Sequence, residues 1–150
     1  MHFPPINYLA VLVAGIVIFA LGGLWYSPVL FVKPWLALQN KTEEQMRAEA
    51  ASANMPLMYG SAFLTGLIIA WALALVLAHI GRDPMMAESG GGVSVGHGAI
   101  IGFVCWLGFA ATTSYATAIF SGKPKKLWFI DSAYNLVSFV LAGIILAAWR

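Results

Sequence analysis

Apolar residues fall in four long runs along almost the whole chain, separated by three polar breaks. The runs cover about 6–27, 57–80, 97–120 and 127–149. At ~1.5 Å rise per residue, roughly twenty helical residues cross a bilayer core of ~30 Å. Each run is near that length. The first three hold no Asp, Glu, Lys or Arg, and the fourth holds one, Asp131. The pattern predicts an all-α fold: a four-helix transmembrane bundle forming a single integral membrane domain over 1–150.

The breaks are short and carry their own signals. Pro4 and Pro5 suit the approach to a first helix, where missing amide donors cost little. That helix ends in Trp25-Tyr26-Ser27-Pro28, with Phe31 and Trp35 beyond. Trp25, Tyr26, Phe31 and Trp35 are expected to form an aromatic belt at headgroup level. In the first break, Thr42 with Gln45 three residues on makes a capping box, and Glu43 and Glu44 suit a helix N-terminus. A short solvated helix is expected there, closed by Asn54 and Pro56. The second break, with Asp83-Pro84 and Ser89-Gly90-Gly91-Gly92, reads as a flexible linker. It lacks the Lys-Ser/Thr that a phosphate loop needs. The third, from Ser121 to Lys126, reads as a tight basic hairpin.

A faint repeat relates the halves. Tyr26, Phe31 and Lys33-Pro34 have counterparts in Tyr115, Phe120 and Lys123-Pro124, and Ser61-Ala62-Phe63 in Ser132-Ala133-Tyr134. The halves are therefore readable as two parallel helical-hairpin repeats.

Composition fixes the class further. The chain is 61% hydrophobic and 9% charged, against roughly 25% charged in soluble domains. Lys33, Lys41, Arg47, Lys123, Lys125 and Lys126 lie in the first and third breaks, against Arg82 and Arg150 on the other side. This bias favours those breaks as cytoplasmic, with both termini outside the cytoplasm. The N-terminus has no basic region before its apolar run, so the first span is expected to be retained. Asn40-Lys41-Thr42 matches a glycosylation acceptor but falls on the expected cytoplasmic side. Cys105, the sole cysteine, reads as a packing residue inside the third span.

Candidate chemistry is sparse. Asp131 and Asn135 lie one turn apart on the fourth helix, with Ser132, Tyr134 and Ser138 nearby. Asp131 is expected in the first turn, where a carboxylate suits the helix dipole and lysines are within reach. Thr117 and Thr113 on the third helix should lie at the depths of Asp131 and Asn135. Thr65 could add a hydroxyl from the second. An ionisable residue inside a span is a functional candidate by default, and anchoring is the competing reading. Gly66, Ala70, Ala74 and Ala78, then Gly98 and Gly102, then Gly143 and Ala147, form small-residue stripes. Such stripes let helices pack closely, within one chain or between copies. His79 and His97 could face each other across the second break, but two histidines make a weak metal site. No metal site, cofactor or catalytic residue is expected, and the aromatic pattern excludes nucleic-acid binding.

The segments Asn7, Leu24-Trp25-Tyr26-Ser27-Pro28, Leu30-Phe31, Trp35, Phe120-Ser121-Gly122-Lys123-Pro124, Ile130 through Val137 and Ala142 through Ala147 resemble the bacterial membrane-protein family catalogued as domain of unknown function 1761. The resemblance covers almost the full chain. It implies a small multi-span inner-membrane protein and brings no assigned activity, ligand or catalytic residue. The sequence thus leads to a non-enzymatic packing, interaction or subunit role, with the lipid bilayer and a second copy or another membrane protein as partners. The alternative is a small solute, proton or cation carrier using Asp131 and Asn135.

Overall fold

A computed structural model describes residues 5–81 and 93–149. The second break, with Arg82 and its glycines, lies outside the described residues, as do Pro4 and Arg150. The described residues form helices and no strand: α1 (Tyr8–Trp25), α2 (Val32–Leu38), α3 (Glu43–Ser52), α4 (Met55–Ile80), α5 (Val95–Phe120) and α6 (Lys125–Ala148). Four of them, α1, α4, α5 and α6, are long and apolar enough to cross a membrane.

Side chains set the helix starts. The Asn7 carboxamide oxygen accepts from the amides of Leu9 and Ala10, each at 3.1 Å. Asn54 caps α4 through the Leu57 amide, with a proline in the first turn. Thr42 and Gln45 close the expected capping box on α3, and the helix is solvated, with no buried residue. These bonds satisfy amides that have no partner within the first turn. The α5–α6 turn is a Schellman motif. Lys123 N–H donates to the Ala118 carbonyl at 3.0 Å and Gly122 N–H to that of Ile119 at 3.3 Å. Gly122 takes a φ of +66°, which glycine adopts without a Cβ clash.

Two elements depart from the sequence pattern. Val32–Leu38 forms a helix, α2, where only an aromatic belt is expected; Val32 and Leu36 are buried and hold it to the bundle. Inside α5, Trp106–Ala111 is π-helical. The buried positions give the reason. Gly98, Gly102, Ala111 and Ala118 are all covered. In an unbroken helix of 3.6 residues per turn, Ala111 would lie about 180° around from Gly102. A π turn absorbs one extra residue, which swings Ala111 and Ala118 back toward α6.

Packing follows the small residues. α1 pairs with α4 and α5 with α6, and α6 also packs on α1 and α4. Ala10, Ala14, Ala70 and Ala142 are completely buried. Gly66 lies against Gly15 and Ile18. A Cβ on Gly98 would overlap the Gly143 carbonyl, and one on Gly102 that of Phe139. The glycine stripes of α5 and α6 thus meet each other within the chain, and the backbones touch. Ala70 and Ala74 are buried on α4 as well. The Asn7 side chain donates to the Trp149 carbonyl at 3.4 Å, so the start of α1 and the end of α6 share one end of the bundle.

Candidate functional site

The other end of the bundle holds the polar chemistry. α6 begins at Lys125, so Asp131 lies nearly two turns in and not in the first turn as the sequence suggests. The helix dipole has faded there, and side chains do the work instead. Tyr26 donates its hydroxyl to Asp131 Oδ1 at 2.9 Å, and Trp35 donates Nε1 to the same oxygen at 3.1 Å. Asp131 Oδ2 faces Lys123 Nζ at 3.4 Å. That is long beside the ~2.7–2.9 Å of a tight charge-assisted bond. The pair is also half-open: the side chains are 50% and 28% exposed.

The aromatic residues expected at headgroup level also pack against the bundle. Trp25, Tyr26, Phe31 and Trp35 are all partly buried. Trp25 packs on Phe31 at 4.8 Å, Tyr26 meets Trp35 edge to face at 5.4 Å, and Tyr134 packs against both Trp25 and Tyr26. Their polar atoms are spent on α6. Trp25 Nε1 donates to the Ile130 carbonyl at 3.1 Å, and Tyr134 donates back to the Ile18 carbonyl at 3.2 Å. The physical reason is α2: it folds back beside α6 and brings Trp35 over Asp131. From α5, Trp106 Nε1 reaches the Ser132 carbonyl at 3.0 Å. Four tryptophans or tyrosines outside α6 are therefore bonded to the stretch Ile130–Ser132, an arrangement that spacing alone does not reveal.

Thr113, Thr117, Asp131 and Asn135 line one open groove of about 360 Å³ between α5 and α6, together with Lys123 and Ser132. The two threonines do not hydrogen-bond to Asp131 or Asn135. Thr117 donates to the Thr113 carbonyl at 3.0 Å, and Thr113 donates to the Phe109 carbonyl. These bonds satisfy the hydroxyl hydrogens within the helix and leave the oxygens as acceptors. Thr65 is turned to its own Ala62 carbonyl and lies outside the groove. Ser132 is 3% exposed, and its hydroxyl has no partner among the described residues. The sequence places Ser132 beside Asp131 and lysines within its reach, without singling out Lys123 as the lysine that lines the groove. The eight-residue spacing from Lys123 to Asp131 across a turn was the available signal.

His79 and His97 each bond locally, to the Leu75 carbonyl at 2.7 Å and to Ser94 Oγ at 2.8 Å. Among the described residues no group of three or more His, Cys, Asp or Glu could hold a metal ion. Cys105 is partly buried beside the core.

Fold and site together define an all-helical bundle with four apolar helices, compatible with a multi-pass membrane protein. The family described as Protein of unknown function (DUF1761) matches residues 9–147, and the chain belongs to it. No curated protein and no solved structure matches the chain.

Proposed function

We propose that the chain is a multi-pass protein of the bacterial cytoplasmic membrane with a non-enzymatic, interaction or subunit role. Its working surface is the polar groove at the basic end of the α5–α6 hairpin. One observation carries this reading over transport: the groove's polar lining ends at Asn135. Beyond it, α5 and α6 close with Gly102 on the Phe139 carbonyl and Gly98 on that of Gly143. A blind groove suits recognition better than passage. The clasp on Asp131 points the same way, because a carboxylate fixed by Tyr26 and Trp35 is poorly placed to relay charge.

A carrier is the second reading. It is favoured by the convergence of Thr113, Thr117, Asp131 and Asn135 on one groove, since polar groups inside a membrane often mark a path. Flux in proteoliposomes separates the two. The wild-type protein is expected to pass neither protons nor common cations above empty liposomes. A pH-driven flux that vanishes in Asp131→Asn would replace the interaction role with the carrier.

A further inference from the structure

We propose that the α5–α6 groove binds the headgroup of a zwitterionic aminophospholipid, with Lys123 on the phosphate and Asp131 on the ammonium. This rests on reading the groove as the working surface and names what it takes.

The charge pattern selects the ligand. Among the described residues the groove holds one cation, Lys123, and one carboxylate, Asp131. Its net charge is zero, as is that of a phosphoethanolamine group. An anionic headgroup would satisfy Lys123 and meet repulsion from Asp131; a simple cation would do the reverse. The carboxylate is divided between two surroundings. Oδ1 is occupied by Tyr26 and Trp35, whereas Oδ2 has only the long contact to Lys123. A bound zwitterion would exchange that one loose pair for two: ammonium to Oδ2 and Lys123 to phosphate. The hydroxyl oxygens of Thr113 and Thr117 remain free to accept from ammonium hydrogens. The buried, unpartnered Ser132 hydroxyl adds a polar group that the chain itself leaves unsatisfied, and such groups call for a partner. A choline headgroup has no N–H to give, and a single aromatic, Trp128, lines the groove, against the cage that a quaternary ammonium prefers.

Position selects the lipid over a soluble phosphoethanolamine. The groove opens beside Lys123, at the hairpin that also carries Lys125 and Lys126, where headgroups would lie. Phe120 and Phe129, 92% and 64% exposed, flank this end and offer apolar contact to acyl chains. A volume of about 360 Å³ falls within the range for small-ligand sites.

Native mass spectrometry of the detergent-purified protein tests this, with phosphatidylethanolamine, phosphatidylcholine and phosphatidylglycerol added at equal concentration. Phosphatidylethanolamine adducts should exceed both others. Lys123→Gln, on an exposed turn residue, should lower that preference about tenfold, the size of one charge-assisted contact. Asp131→Asn should do the same, and Lys41→Gln on the remote first loop should leave it unchanged. Equal retention of the three lipids, or a preference untouched by Lys123→Gln, would overturn the proposal. Displacement of the lipid by free phosphoethanolamine at comparable concentration would also overturn it, in favour of a soluble ligand. Because Lys123→Gln leaves the Tyr26–Asp131–Trp35 clasp intact, the test does not depend on how Asp131→Asn folds. A positive flux result would defeat the interaction role without touching lipid selectivity, so the two failures are distinct.

Discussion

Asp131 is the residue on which two distant parts of the chain converge. Tyr26 and Trp35 lie about a hundred positions upstream, and both donate to one of its oxygens. The sequence shows that an ionisable residue sits inside an apolar run, and therefore that it needs partners. It does not show which ones. The lysine half of the answer was legible from proximity along the chain, whereas the aromatic half depends on α2 folding back, and no local pattern encodes that. The bond is measurable. Tyr26→Phe and Asp131→Asn should each lower unfolding stability in detergent by about 1 kcal/mol, in line with hydrogen bonds between membrane helices. The double variant should lose less than the sum, because Asp131→Asn weakens the charge-assisted bond that Tyr26→Phe removes. Strict additivity would mean that Tyr26 and Asp131 do not interact in solution.

At the scale of elements, the long helices were readable from apolar run length, and the α3 capping box from Thr42 and Gln45. The small-residue stripes were readable too, but not their partners, because a stripe looks alike whether it meets another helix or another copy. The structure places Gly98, Gly102 and Gly143 within one interface. The π segment is not legible in the sequence because it shows only as a break in the spacing of covered residues, and coverage is a property of the fold. Gly143→Ala should weaken the hairpin by about 1–3 kcal/mol, the usual cost of overpacking, since its Cβ would overlap the Gly98 carbonyl. Gly108→Ala meets open space and should be neutral or slightly stabilising, because alanine is the better helix former. Thermal unfolding of the two variants side by side checks this. Equal stability for both would mean that the α5–α6 backbones do not touch.

For the whole molecule, the arrangement gathers Asp131, Asn135 and Lys123 at the basic end, while the opposite end, where Asn7 meets Trp149, holds a separate open pocket of about 420 Å³. The hydropathy pattern and lysine bias carry most of that picture. The depth at which the polar lining stops comes only from the packing of α5 on α6. The most direct measurement combines span topology with the blind groove. Single cysteines would be placed at Thr117, Asn135 and Ser94 in a Cys105→Ser background and labelled with a membrane-impermeant maleimide in vesicles of either orientation. Thr117→Cys should react only from the side of the basic hairpin, expected to be the cytoplasm, and Ser94→Cys only from the opposite side. Asn135→Cys should react from the hairpin side or not at all. Labelling of Asn135→Cys from both sides would make the groove a through-path, and labelling of Thr117→Cys and Ser94→Cys from the same side would mean that α5 does not cross the membrane.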